Sequence, residues 1–115
     1  MKPPKVNDPA PIGSFEEQVM LAVLRTHPES YGMNVRRELA AVTGRDVTIG
    51  SVYITLDRLE AKGLLASSRV AAQGEAGSRR VFAVTEVGVR ALGVTKAVRE
   101  RLWAGVELRP LRPKA

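Results

Sequence analysis

The chain has 115 residues, the length of one domain whose modest core can gain stability by pairing with a second copy. Its 44% hydrophobic and 26% charged residues fit a folded globular protein and exclude a wholly disordered or fibrous one. Eighteen Lys and Arg against twelve Asp and Glu leave a formal charge of +6, which suits a polyanionic partner: DNA, RNA or an acidic membrane face. The chain lacks cysteine, which excludes disulfides and thiolate zinc sites and fits a cytoplasmic protein.

The amino-terminal segment, residues 1–13, contains four prolines and no apolar run, which predicts a flexible arm and not a signal peptide. No stretch approaches the ~20 apolar residues that span a bilayer, so no membrane partner is predicted. Ser14 and Glu17 have the spacing of a capping box, and the proline after His27 disfavours helical backbone. A first, strongly apolar helix is therefore predicted from Ser14 to His27.

Two further helices are predicted on either side of a short turn. Ser30 is the expected N-cap of the second helix, which runs to about Thr43 and ends at Gly44. Thr48 is the expected N-cap of the third helix, which ends at Gly63. Two helices joined by a short turn that contains glycine form a helix-turn-helix pattern.

The third helix has two unlike sides. Ile49, Val52, Leu56 and Leu59 recur at helical spacing and predict a core-facing stripe. The other side lacks the Glu and Lys expected of a helix that only faces water. It carries mostly short side chains that allow a close approach to another molecule, and its predicted members are Gly50, Ser51, Ile54, Thr55 and Arg58.

A β-hairpin is predicted next, because residues 64–70 and 79–85 are β-prone and the segment between them contains two glycines. Arg79 and Arg80 begin its second strand, with Arg69 nearby. The tip of the hairpin is therefore expected to be basic.

Thr85 is the expected cap of a last helix over residues 86–108, followed by a frayed tail over 109–115. An apolar stripe along this helix exceeds what a small core can cover, which favours a homodimer. Gly88 and Gly93 inside it predict close packing or a gentle bend. The residues assigned to the dimer contact, or to a ligand site within it, are Val94, Val98, Leu102, Trp103 and Val106.

This element order is that of a winged helix-turn-helix: an α+β, mostly helical fold with a domain at 14–85 and a C-terminal dimerisation helix. Its third helix would enter the major groove of double-stranded DNA, which is about 12 Å wide, and its hairpin would reach the backbone. Hydroxyls and arginines can bond phosphates or base edges, and Ile54 suits a thymine methyl. The predicted DNA-binding residues are Thr48, Gly50, Ser51, Ile54, Thr55, Arg58, Arg79, Arg80, Tyr31 and Tyr53.

Several structural interpretations stay open beside these. Ser51, Ile54 and Thr55 could be ordinary surface residues, and Tyr31 and Tyr53 could be core residues with a polar tip. Arg36, Arg37 and Arg58 could be surface charges near Glu38 and Glu60. Trp103 could either pack in a dimer or stack on a planar ligand.

Other functions fit the sequence less well. One histidine, no cysteine, no glycine-rich phosphate loop and no acid pair at metal-ligand spacing argue against an enzyme, a cofactor or a metal site. The alternative is a winged-helix module that binds a protein partner or a non-operator nucleic acid. Few aromatic residues argue against stacking on single strands.

The runs FEEQVMLAVLRTHPESYGMNVRREL, TIGSVYITLDRLEAKGLL and SRRVFAVTEVGVRAL resemble the PadR family of bacterial transcriptional regulators over roughly residues 14–90. Phe82 and Val84 stand where members commonly have tyrosine and leucine, which are conservative departures. The resemblance implies a homodimeric repressor that binds an inverted-repeat operator, with the C-terminal helix as its dimer contact. The chain is similar to the compact subgroup with one short C-terminal helix. Some members release DNA when a small aromatic effector binds between subunits, so a small planar hydrophobic effector is a further hypothesis.

Overall fold

A computed structural model describes residues 8–71 and 77–110. Three helices pack together, a two-stranded antiparallel hairpin projects from them, and a fourth helix follows the hairpin. The elements in chain order are α1 (Ser14–Thr26), α2 (Gly32–Thr43), α3 (Ile49–Ala61), β1 (Leu65–Ala71), β2 (Ser78–Val84) and α4 (Glu86–Trp103). The order of elements is the predicted one. None of the described helices is long and apolar enough to cross a membrane.

The core lies where α1, α2 and α3 meet the base of the hairpin. Val19, Met20 and Val23 place the apolar α1 at its centre, as the sequence predicts. Residues of the hairpin base and of the first half of α4 complete the core. The other buried members are Ala22, Val35, Leu39, Val52, Leu56, Leu59, Leu64, Leu65, Phe82 and Ala91.

The predicted ends of α3 and the start of α4 are confirmed. The Thr48 hydroxyl accepts a hydrogen bond from the Ser51 backbone N–H at 3.1 Å. The Thr85 hydroxyl accepts one from the Gly88 N–H at 3.0 Å. Gly63, just past the end of α3, has a φ of 77°, the left-handed conformation that ends a helix at little cost for glycine.

The predicted caps of α1 and α2 are wrong by one residue. The N-cap of α1 is Gly13, whose N–H donates to the Glu16 carboxylate at 3.3 Å. The capping pair is therefore Gly13 and Glu16, one position before the predicted Ser14 and Glu17. The N-cap of α2 is Tyr31. Ser30 is buried, and its hydroxyl donates to the Val23 carbonyl at 2.8 Å instead of capping α2.

The hairpin is attached to the helices at its root. β1 and β2 pair in a register that places Ser67 opposite Phe82 and Arg69 opposite Arg80. An isolated bridge between Tyr31 and Val81 joins β2 to the start of α2. Residues 72–76, in the segment predicted to join the two strands, lie outside the described residues.

The last helix is shorter than predicted. It ends at Trp103, because Gly105 has a φ of 75° and the Val106 N–H bonds to the Trp103 carbonyl at 2.9 Å. Val106 therefore lies after the helix and does not continue the stripe of α4. Near the start of α4, a side chain on Gly88 would collide with the Leu64 carbonyl oxygen, which confirms the predicted close packing there.

The predicted amino-terminal arm is attached at its carboxyl end. Ile12 packs against the core, and its N–H donates to the Thr95 hydroxyl of α4 at 3.0 Å. The prediction that all of residues 1–13 are flexible is therefore wrong at Ile12. Residues 1–7 and 111–115 lie outside the described residues.

Candidate nucleic-acid interface

The outer side of α3 is exposed and carries short or apolar side chains. Ile54 is 62% exposed, and Gly50 and Arg58 are exposed on either side of it. Among the described residues, none outside the start of α3 itself lies within 4 Å of the position that a Cβ on Gly50 would occupy. Another molecule can therefore approach the helix backbone closely at its first turn.

The prediction that Thr55 lies on the outer face of α3 is wrong. It is 5% exposed and belongs to the buried side of α3. The physical reason is its position three residues after Val52 and four before Leu59, which places it on the core stripe. A direct contact between Thr55 and DNA is therefore excluded by its burial.

The turn before α3 fixes the two hydroxyls at the start of that helix. Arg36 donates to the Val47 carbonyl at 2.8 Å and to the Asp46 carboxylate at 3.3 Å, and so braces the turn. The half-buried Ser51 donates from its hydroxyl to the Thr48 carbonyl at 2.9 Å. Both hydroxyls thus lie beside the free N–H groups of the α3 N-terminus, which favour an anion.

A polar cleft of about 600 Å³ separates the start of α2 and α3 from the hairpin. Arg37 lies in it, although the sequence interpretation treated that residue as a surface charge. Its position off the apolar stripe, beside the start of α2, was the available signal. The side chains lining the cleft are Tyr31, Met33, Arg37, Tyr53, Arg69, Ser78, Arg79 and Arg80.

The two tyrosines form one wall of the cleft. The guanidinium of Arg79 lies 4.4 Å from the centroid of the Tyr31 ring, a stacking distance for a cation on an aromatic face. The Tyr53 ring lies against Gly32, where any Cβ would overlap it. Tyr31 is half-buried and Tyr53 is partly exposed, so both support the cleft as well as facing it.

Arg80 has different surroundings from those predicted. Its guanidinium donates to Asp57 at 2.7 Å, to Glu60, and to the Ser67 hydroxyl at 3.2 Å. The hydrogen bond to Asp57 is the main cause of a raised pKa at Arg80, and a hydrogen bond from Ser67 is the main cause of a lowered pKa at Glu60. The charge of Arg80 is therefore matched within the chain, and a contact between Arg80 and DNA stays a prediction. Asp57, exposed on α3, was missed because sequence reasoning considered only donors and apolar groups.

The residues assigned to a dimer or ligand contact lie along the second half of α4 and just beyond it. Val94 and Val98 are half-buried, whereas Leu102 is 73% and Trp103 52% exposed. Val106 is exposed in the segment after the helix. An apolar groove of about 400 Å³ between α1 and α4 ends near Arg99, which pairs with Glu17. Within residues 8–71 and 77–110, no cluster of acidic and histidine side chains could hold a metal ion.

The model of the transcriptional regulator PadR-like family matches residues 20–94, which is more than half of the chain. The matched segment contains α2, α3 and the whole hairpin. The chain belongs to this family. A PadR-family protein is a transcriptional regulator that acts through DNA binding, and it is not an enzyme.

Solved structures of PadR-like regulators share this fold. A PadR-like transcription factor from Bacteroides fragilis is 25% identical, with a TM-score of 0.65, over 76% of this chain and 82% of that one. A PadR family transcriptional regulator from Eggerthella lenta DSM 2243 is 28% identical, with a TM-score of 0.61, over 76% and 75%. A PadR-like regulator from Bacillus cereus ATCC 14579, 20% identical with a TM-score of 0.66 over 78% and 84%, supports the fold. Among curated protein sequences there is no significant match.

Proposed function

We propose that this PadR-family regulator is a homodimeric, cytoplasmic repressor that binds an inverted-repeat operator. The observation that carries the proposal is the exposed outer side of α3 next to an arginine-lined cleft. An apolar, glycine-bearing helix face suits a groove, and a neighbouring basic cleft suits the phosphates at its edge. The two surfaces are adjacent on α3, because Tyr53 lines the cleft and the next residue, Ile54, is exposed.

Base recognition belongs to α3 in this proposal. Gly50 lets the helix approach the base edges, and the Ile54 methyl groups lie against a thymine methyl. Arg58 and the hydroxyls of Thr48 and Ser51 bond the backbone or a base edge from the flank of the helix. Thr55 has no part in it, because the side chain is buried.

Phosphate binding belongs to the cleft and the hairpin. Arg37, Arg69 and Arg79 place positive charge along it, and Arg79 is held over the ring of Tyr31. The Tyr53 side chain lines the same cleft. Contacts of this kind set the register of the protein on the duplex without selecting a sequence.

Dimerisation supplies the two-fold symmetry that an inverted repeat requires. The exposed apolar end of α4, with Leu102 and Trp103, and Val106 just beyond it would be covered by a second copy. A few hundred Å² of apolar area buried per subunit would contribute several kcal/mol at about 25 cal/mol per Å². Two α3 helices would then face half-sites about 34 Å apart.

Repression follows if the operator overlaps the site that RNA polymerase needs. The family resemblance is the support for repression, and it also supports release of DNA by a small planar effector. The contact surface proposed for that effector is Trp103, which is half-exposed at the proposed subunit boundary.

Selection of genomic DNA by the purified protein tests the proposal. The expected product is an inverted repeat whose half-site centres are about one helical turn, or 10 base pairs, apart. Recovery of single half-sites, or of no preferred sequence, would contradict the homodimeric operator. Transcription in vitro from the recovered promoter should fall as protein is added, and a rise would contradict repression.

Variants then test the two surfaces separately. Ile54→Ala should change the preferred bases, and Thr55→Val is the control on the same helix, because its buried side chain should leave the preference unchanged. Arg79→Ala should weaken binding to all DNA sequences alike. It should also lower the magnitude of the slope of log affinity against log salt by about 0.9 for each lost phosphate contact. An unaltered preference in Ile54→Ala would show that α3 is not the recognition element.

A further inference from the structure

Arg79 and Arg80 are neighbours on β2, but they have different surroundings. Both line the cleft, and Arg79 stacks there on the aromatic ring of Tyr31. The guanidinium of Arg80 is held between the hairpin and α3, where it bonds the carboxylates of Asp57 and Glu60. Two arginines that look equivalent in the sequence are thus available for different tasks.

The contacts of Arg80 define a joint between three elements. Its Nη1 donates to Asp57 at 2.7 Å, its Nη2 donates to Glu60, and its Nε donates to the Ser67 hydroxyl of β1 at 3.2 Å. A guanidinium is planar and rigid, so three acceptors on its edges fix its position and orientation. The helix that supplies two of these acceptors is fixed relative to both strands.

Further contacts of Glu60 and Arg80 hold the same joint together. Glu60 accepts hydrogen bonds from the Ser67 N–H at 2.9 Å and from the Ser67 hydroxyl at 2.6 Å. The Arg80 guanidinium also lies 4.7 Å from the centroid of Phe82, which is a buried core residue. The root of the hairpin is therefore anchored to α3 and to the core at one place.

We propose that Arg80 is a positioning residue of the DNA interface. It fixes the β1–β2 hairpin, here called the wing, relative to α3 and does not itself bind DNA. With the wing held, Arg79 and Arg69 lie at a set distance from the bases that Ile54 contacts. This inference rests on the proposed function, since it requires α3 and the hairpin to touch the same half-site.

The charges explain why Arg80 would not turn toward a phosphate. To do so, it would leave the carboxylates of Asp57 and Glu60 without their partner beside a polyanion. Like charges brought together at an interface oppose binding. The arrangement is most stable when Arg80 stays on the two carboxylates.

Conservative variants separate positioning from contact. Lysine keeps the charge and binds a phosphate as a point charge, but it cannot reach three acceptors in one plane. Arg79→Lys should therefore bind the selected duplex about threefold more weakly than the wild type, whereas Arg80→Lys should bind about tenfold more weakly, like Arg80→Met. If Arg80→Lys, or Arg80→Met, binds as tightly as the wild type, the proposal is overturned.

A double-mutant cycle provides a second test. Arg79→Met should weaken binding about tenfold in the wild type but less than about threefold in Arg80→Met, because a displaced wing already loses that contact. Equal effects of Arg79→Met in both backgrounds would show two independent contacts and would overturn the proposal.

Ser67→Ala is the variant that keeps every charge in place. It removes one acceptor of Arg80 and one donor to Glu60, so binding should weaken about threefold while the charge of the protein stays the same. Unchanged affinity of a folded Ser67→Ala protein would overturn the proposal. Thermal unfolding confirms that each variant is folded at the assay temperature, and should Arg80→Met not fold, Arg80→Lys and Ser67→Ala provide the test.

The same set of proteins distinguishes this inference from the proposed function. If Arg79→Met binds like the wild type, the proposed contact between the wing and DNA is itself wrong. If Arg79→Met is weakened and Arg80→Lys is not, the wing contacts DNA and only the role of Arg80 is wrong.

Discussion

The two halves of α4 continue one apolar pattern but end in different environments. In the first half, Gly88 and Ala91 are buried against the hairpin root and the core, and Thr95 at the middle of the helix is buried against the segment before α1. In the second half, Leu102 and Trp103 are largely exposed. The same helix is therefore part of the core at one end and an uncovered surface at the other.

The difference shows that the apolar stripe of α4 has two roles, one in each half of the helix. The first half is covered by its own chain, so changes there should act on the free energy of unfolding. Leu102 and Trp103 in the second half are not covered by the part of the chain that the structure describes, so changes there should act on association with a second copy if the proposed dimer is correct. Substitutions in the two halves can separate these effects.

The largest effect is expected from Gly88→Ala in the first half. The added methyl group would collide with the Leu64 carbonyl oxygen and with the Val84 side chain. That carbonyl accepts a hydrogen bond from the Thr85 N–H at 3.1 Å, so moving it also disturbs the helix start. The free energy of unfolding, measured by urea at fixed protein concentration, should fall by about 2–3 kcal/mol.

Gly93→Ala is the matched control on the same helix. In residues 8–71 and 77–110, no atom outside the helix itself lies within 4 Å of the Cβ position at Gly93. Alanine should therefore leave the stability unchanged or raise it by about 0.5–1 kcal/mol, because glycine is the poorer helix former. Equal losses in Gly88→Ala and Gly93→Ala would contradict the assignment of close packing to the first half alone.

Most of the fold was predictable because local chemistry determines it. Thr48 and Thr85 cap helices with their own hydroxyls, and Gly63 ends α3 in a conformation that suits glycine. Ser30 shows where such reasoning fails. A serine before a helix is an N-cap by pattern, but here its hydroxyl bonds the Val23 carbonyl, a partner set by the packing of α1 on α2.

The candidate site was less predictable because it depends on contacts between distant residues. Ile54 and Gly50 could be placed on the outer side of α3 from helical spacing alone. Thr55 was misplaced at the boundary between the two sides of the helix, where a hydroxyl suggested exposure and only packing shows burial. The surroundings of Arg80 could not be predicted, because its partners Asp57 and Glu60 are 23 and 20 positions away and meet it only after folding.

An intermediate effect is expected from Leu102→Ala in the second half of α4. The free energy of unfolding within one subunit should change little, because Leu102 is mostly exposed there. The dissociation constant of the proposed dimer should rise about tenfold, which corresponds to about 1.4 kcal/mol of lost apolar contact. Sedimentation velocity over a dilution series measures this constant.

Val42→Ala is the control for that change, since Val42 is an exposed aliphatic residue on α2. Its dimer constant should equal that of the wild type. A dimer weakened by Val42→Ala and unaffected by Leu102→Ala would place the interface on the α1 and α2 side of the molecule.

The smallest effect is expected in the fluorescence of Trp103 when a ligand is added. A ligand that binds there would show that the exposed second half of α4, unlike the first half, can hold a small molecule. Trp103 is the only tryptophan of the chain, so its emission reports on that place alone. A planar aromatic cation, such as an N-alkylquinolinium ion, should quench the emission in a saturable way if it stacks on the ring. An equally charged, non-aromatic tetraalkylammonium ion should not, because it lacks the flat face that stacking requires. If neither ion changes the emission, Trp103 serves packing alone, and the second half of α4 is a subunit contact without a ligand site.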